Sequence, residues 1–245
     1  MVSARRFFVE GTHEAGDVVE IRESDAHKIA RVLRLQPGER IELIDSSANA
    51  FTASIEAVGT VVRATVQQRL DSESDTRAAL AIDVAQAVPK ARRMDFVIEK
   101  GTELGASAFL PFYSERNVAR TVGAEKLARW RRLARTAAQQ CGRREVPAIE
   151  APLRFERLLE RFSAYQIVVF AWELAPSRPL VDALRQALPA SGRALVVIGP
   201  EGGFTHAEAE AASQHGALAV SLGSRILRTD TAALALLAVI GALTS

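Results

Sequence analysis

Along the first seventy residues apolar positions come in short stretches bounded by Gly, Pro, Asp and Ser. This predicts β strands at 6–10, 17–21, 40–45, 51–58 and 61–70. One segment departs from that pattern. From 24 to 35 the apolar residues Ile29, Val32 and Leu33 recur at helical spacing, with Ser24 placed to cap the N-terminus. The expectation is a small β-barrel carrying one helix. The polar, aperiodic DSESDTR at 71–77 reads as a linker, and it divides the chain into domains 1–72 and 77–245.

Beyond the linker, continuous apolar runs alternate with helix-period segments. Strands are expected at 80–88, 108–112, 167–172, 194–198 and 217–222, with helices at 91–104, 125–140, 153–162, 179–188, 205–215 and 231–243. Strands written as unbroken apolar runs are covered on both faces, and their alternation with helices implies an α/β domain around a largely parallel sheet. The helix at 231–243 is apolar nearly all round yet too short to span a bilayer, so it belongs in a core or an interface.

Composition adds limits. With 245 residues, 48% hydrophobic and 24% charged, the chain is an ordinary folded protein. No apolar run is long enough for a secretory signal or a membrane span, so a cytoplasmic protein with no membrane partner is expected. Cys141 is the single cysteine, which rules out an intrachain disulfide. His13, His27, His206 and His215 lack metal-site spacing, so no metal is expected. The net charge of +2 hides an uneven distribution. Residues 116–144 hold nine Lys or Arg against Glu125 alone, while the remainder holds 22 basic and 28 acidic residues. Such a block suits a polyanion, or simply a solvated helix face.

Two segments carry candidate chemistry. ALVVIGPEGGFTHAEAE, from Ala194, is a buried strand entering a glycine-rich turn and then a helix opened by a Thr205/Glu208 capping box. AVSLGSRILRTDTAALALL, from Ala219, repeats the design through Gly223 and Ser224, with Thr229 as N-cap and Asp230 in the first helical turn. Glycines allow a ligand to lie against main-chain groups, and turns at the carboxyl ends of parallel strands are where open α/β sheets bind ligands. A tight connection with no ligand is the alternative. Neither GxGxxG nor GxxxxGK[ST] occurs, so a slot walled by backbone and apolar side chains is favoured over a nucleotide-phosphate site.

GPEGGFT at 199–205 followed by LGSRILRTDTAAL at 222–234 resembles the paired signature of the RsmE family of SPOUT RNA methyltransferases. HKIARVLRLQPGE from His27, KARRMDFVIEKGTELG from Lys90, PFYSERN from Pro111 and AAQQCGRREVPAI from Ala137 extend the likeness over nearly the whole chain. The resemblance implies a PUA-like RNA-binding barrel followed by a SPOUT domain whose C-terminal part forms a trefoil knot. It also implies a homodimer, S-adenosylmethionine as cofactor, and methylation of N3 of one uridine in the decoding region of 16S rRNA of the small ribosomal subunit. A non-catalytic rRNA-binding assembly factor and a SPOUT enzyme acting on tRNA are the alternatives.

Mapped onto this chain, Ile198, Gly199, Glu201, Gly202, Gly203, Leu222, Gly223, Ser224, Ile226, Leu227 and Thr231 are expected to hold the cofactor. Removing a proton from uracil N3 spreads charge onto O2 and O4, so a base and a cationic donor are wanted. Arg228 is the candidate donor. Glu201 is a candidate base, or a turn carboxylate that satisfies backbone N–H groups. Asp230 stands where relatives commonly have Glu, and is expected to act at the helix end. Cys141 is expected to be structural. Arg5, Arg6, Arg31, Arg34, Arg92, Arg93, Arg116, Arg129, Arg132 and Arg135 are candidate RNA contacts, which would position a backbone without reading its sequence.

Overall fold

A computed structural model describes residues 5–70, 80–118, 121–175 and 178–244. The linker expected at 71–77 lies outside the described residues. The chain forms two compact units, residues 1–75 with Ala138–Glu145, and residues 76–137 with Val146–Ser245.

In the first unit, β1 (Arg6–Phe8), β2 (Val18–Ile21), β3 (Arg40–Ile44), β4 (Ala50–Ala57) and β5 (Val62–Leu70) form a sheet of order β1-β3-β4-β5-β2. β1 runs parallel to β3 and the other pairs are antiparallel. Among the described residues β1 and β2 remain edges, so the expected barrel is a half-barrel. Alternation along β4 and β5 turns Phe51, Ala53, Ile55, Val62, Ala64 and Val66 inward onto Phe7, Ile29 and Leu43. The segment 138–145, counted with the second domain in the sequence reading, joins this unit. Ala138 packs on Phe8, Ile44 and Ala50, and Gln139 donates to both oxygens of Asp25 at 3.2 Å.

The helix expected at 24–35 is a single α turn, α1 (Glu23–His27), followed by a π-helical turn over Lys28–Val32. Wider winding rotates the face, so Ile29 is buried while Val32, expected inside, is 66% exposed. Ser24 does not cap it. Arg22 holds the cap position without a side-chain bond.

The second unit is built on seven strands: β6 (Leu80–Ala87), β7 (Ala106–Tyr113), β8 (Ala148–Ile149), β9 (Leu153–Arg154), β10 (Ile167–Ala171), β11 (Gly192–Ile198) and β12 (Leu218–Val220). Their order is β12-β10-β11-β6-β7-β8, with β9 also on β7, and every pair is parallel. Both faces are covered, as unbroken apolar strands require. Ala194, Val196 and Ile198 face α2 (Arg93–Glu103), α3 (Ala124–Cys141), α5 (Leu180–Ala187) and α7 (Thr229–Thr244). Leu195 and Val197 face α4 (Phe155–Leu159) and α6 (His206–Gln214). β8 and β9, two residues each, were too short to leave a periodic signal, and β9 takes the start of the helix expected at 153. Among the described residues no helix is long and apolar enough to cross a membrane, and no cluster of His, Cys, Asp or Glu could hold a metal.

Candidate functional site

β10, β11 and β12 end side by side, because the chain leaves β11 and crosses over β10 to add β12 at the edge. Their carboxyl-end loops therefore converge, the usual place for a ligand in an open α/β sheet. They enclose a cavity of about 760 Å³. That volume suits a nucleoside-sized molecule.

The first wall is the turn after β11. Gly203 has φ +67°, a left-handed conformation that side chains rarely adopt, and a Cβ there would stand 2.5 Å from the carboxylate end of Glu173, which would have to move aside. The turn is anchored beneath by Phe204, buried among Phe112, Phe155 and Phe170, its ring 4.2 Å from that of Phe170. The expected capping box closes α6: Glu208 N–H donates to Thr205 Oγ1 at 3.2 Å, and Thr205 N–H donates to Glu208 Oε2 at 2.9 Å. The PFYSERN segment braces the turn from β7. Glu115 N–H donates to Glu208 Oε1 at 2.9 Å, Arg116 Nη1 to the Gly202 carbonyl at 3.1 Å, and Asn117 Nδ2 to the Val88 carbonyl at 2.8 Å.

The second wall is the loop from Ser221 to Arg228, with Gly223 at φ +104°. Leu222, Ile226 and Leu227 give it apolar character, and Ile226 is 90% exposed. Thr229 does not cap α7. Its hydroxyl donates to the Gly199 carbonyl at 2.6 Å and accepts from Gln86 Nε2 at 2.8 Å. Asp230 lies in the first turn of α7 and accepts from Thr231 N–H at 3.1 Å.

Of the eleven residues expected around the cofactor, ten line the cavity; Thr231 is exposed on α7 outside it. At the start of a helix, successive side chains point about 100° apart, and Ala232 rather than Thr231 faces inward. Arg228 lines the cavity as expected. Glu201 does too, and its Oε1 accepts from Lys90 N–H at 2.9 Å, which ties the turn to the loop before α2. Residues the sequence reading missed close the third side: Trp172, Glu173 and Leu174 after β10. A lone carboxylate, Glu173, directly after an apolar strand was the available signal. Glu173 has no hydrogen bond or ion pair among the described residues.

The candidate RNA contacts divide. Arg5 and Arg6 pair with Glu39 and Glu42 at 2.7 and 2.8 Å, Arg129 pairs with Asp95, and Arg116 is spent on Gly202. Arg135 is likewise engaged. Arg93 lines the cavity. Arg31, Arg34, Arg92 and Arg132 are exposed and without a partner among the described residues. Cys141 is exposed, its Sγ 3.7 Å from the Ala138 carbonyl.

Comparison with known proteins adds independent findings. Residues 76–241 match the RNA methyltransferase domain and residues 21–60 match the RNA methyltransferase PUA domain. The chain is 34% identical to ribosomal RNA small subunit methyltransferase E of Bacillus subtilis, over 94% of this chain and 93% of that protein. It is 35% identical to the Mycobacterium tuberculosis protein of the same name, over 99% and 93%. The crystal structure of a ribosomal RNA small subunit methyltransferase E from Neisseria gonorrhoeae, bound to S-adenosyl methionine, superposes with a TM-score of 0.84 at 30% identity, covering 98% of each chain.

Proposed function

The chain belongs to the RsmE family of RNA methyltransferases, and on that premise we propose that it methylates N3 of one uridine in the decoding region of 16S rRNA with S-adenosylmethionine as donor. The observation that carries this reading is the cavity between two glycine turns at the ends of β10, β11 and β12.

The residues present fit that cofactor. Backbone exposed at Gly199, Gly202, Gly203 and Gly223 offers donors and acceptors to a purine edge, Leu222, Ile226 and Leu227 offer apolar contact, and a Cβ at Gly203 would meet Glu173. Bound there, the cofactor's sulfonium supplies the methyl group. Arg228, which lines the cavity just before α7, would grip a uracil carbonyl as negative charge develops on it. Its planar guanidinium suits that oxygen better than a mobile ammonium would. Glu173 and Glu201 are the two carboxylates that line the cavity, Glu201 tied at one oxygen to Lys90 N–H and Glu173 without a hydrogen bond among the described residues, and Glu173 is the freer of the two to meet a cation.

The same reading includes a homodimer, a cytoplasmic location and the C-terminal trefoil knot. Support for the dimer comes from α7, whose face opposite its buried residues is also largely apolar, through Ala235, Ala238 and Ala242. Support for the knot comes from β11 lying between β6 and β10 while the chain returns through α7 to pack on α2.

The test is methyl transfer to small ribosomal subunits from cells lacking the gene, followed by primer extension. N3 methylation blocks pairing, so a single new stop in the decoding region is expected. Transfer to tRNA instead, or binding without turnover, would replace this assignment by one of its two alternatives.

A further inference from the structure

Gln86 is fully buried near the carboxyl end of β6, in register with Ile198 of β11. A glutamine in that place is costly, because its Oε1 has no hydrogen-bond partner. A leucine would occupy the position with no orphaned acceptor. Its amide nitrogen, however, begins a chain of bonds across three elements, with Gln86 Nε2 donating to Thr229 Oγ1 at 2.8 Å and Thr229 Oγ1 donating to the Gly199 carbonyl at 2.6 Å. The polarity is fixed at one end. A carbonyl only accepts, so the threonine hydroxyl must donate to Gly199, and its lone pair must receive an N–H from Gln86.

Thr229 is 6% exposed and opens α7 directly after Arg228, whose carbonyl accepts from Ala232 N–H at 2.8 Å. Gly199 opens the other cavity wall. The relay therefore ties the first turn to the end of the second, with the buried strand β6 as its fixed point.

We propose that Gln86 and Thr229 are positioning residues: their relay sets the separation of the two glycine turns, and with it the cofactor affinity and the placement of Arg228. This rests on the reading of the cavity as an S-adenosylmethionine site. Gln86→Glu is nearly isosteric but accepts only at neutral pH, so Thr229 could then donate to the new carboxylate or to Gly199 but not to both. Thr229→Val removes both bonds at constant shape, and Thr229→Ser keeps them.

Calorimetric titration with S-adenosylmethionine and thermal melts on the full-length variants test the relay. Thr229→Ser is expected to bind within about threefold of wild type, while Thr229→Val, which loses two bonds of ordinary net strength, weakens binding by about tenfold or more, and Gln86→Glu, which loses one, weakens it by about fivefold. The double variant Gln86→Leu/Thr229→Val separates positioning from mere satisfaction of buried groups. With Gln86 and Thr229 both made apolar and only the Gly199 carbonyl left without its donor, its melting temperature is expected to recover part of the way towards wild type while its affinity stays low. Wild-type affinity in Thr229→Val, or in the double variant, overturns the proposal. Absence of binding by the wild-type chain overturns the reading of the cavity and the proposal with it, and is distinguished by that control.

Discussion

Gly203 shows how much one backbone angle can decide. Its φ of +67° is strained for a residue with a side chain, and a Cβ would also displace the carboxylate end of Glu173, 2.5 Å away. Gly203→Ala is therefore expected to lower affinity for S-adenosylmethionine by about tenfold or more while costing roughly 1 kcal/mol of stability, as a left-handed non-glycine does. Titration calorimetry beside a urea melt checks both. Asp45 makes a different single-residue case, in the first unit. Burial raises its pKa, but the Asn49 amide and the N–H groups of Asn49 and Ser47, at 3.0, 2.9 and 2.8 Å, outweigh it and leave the carboxyl below its ordinary value of 3.8. A depressed carboxylate contributes its stability above the unfolded value and loses it as pH falls through the folded one. Asp45→Asn is thus expected to cost about 1–2 kcal/mol at pH 7, and the gap from wild type should close below pH 3.8. Urea melts at both pH values that kept a constant gap would remove the carboxylate from the explanation. Glycine positions were legible in the sequence because few other reasons place three of them within five residues. The use of Thr229 was not, since a hydroxyl before a helix reads as a cap unless the distant Gln86 and Gly199 are known.

Elements were legible wherever burial imposed a period. The run from Ala194 to Ile198 has no polar residue because both faces are covered, and the capping box at Thr205 and Glu208 is written in two residues three apart. What stayed hidden has no local signature. Asp83 and Gln86 lie inside an apolar strand, and their partners come from 82 to 143 residues away: Tyr165 and Arg193 for Asp83, Thr229 for Gln86. The π turn after α1 was equally invisible, because it shifts a helical face without changing its composition. Packing of α2 on α7 supplies the prediction at this scale. Gly101 lets the helix lie against Phe109, where a Cβ would come within 2.8 Å of the buried ring and 3.4 Å of Leu237. Gly101→Ala gains about 1 kcal/mol of helix propensity, but overpacking a fixed aromatic costs about 1–3 kcal/mol, and the second effect is expected to win. A lower melting temperature with unchanged cofactor affinity is the expected pair of results, since Gly101 lies about two turns along α2 from Arg93, the residue of that helix that lines the cavity. A raised melting temperature would show that the ring yields.

For the whole molecule, the electrostatic question is how much of the basic block at 116–144 is free to meet RNA. The sequence shows the block but not its internal use. Arg129 is committed to Asp95, Arg116 to the Gly202 carbonyl, Arg131 to the Ile149 carbonyl, and Arg135, Arg143 and Arg144 are engaged as well. Arg132, exposed on α3, has no partner among the described residues, and the same holds for Arg31, Arg34 and Arg92. A guanidinium already paired with a carboxylate releases few counterions when RNA binds, whereas a free one releases nearly its full share. Arg132→Ala is therefore expected to weaken binding to 16S rRNA fragments evenly across sequences and to reduce the slope of log affinity against log salt by about 1. Arg129→Ala is expected to leave that slope nearly unchanged and to lower the melting temperature, because Asp95, which also accepts from the Trp130 indole at 3.1 Å, loses its charged partner. Affinities measured over a range of salt concentrations decide between the two pictures. If Arg129 carries the larger share of the slope, its ion pair opens on binding, and the block acts as one surface in place of a few free charges.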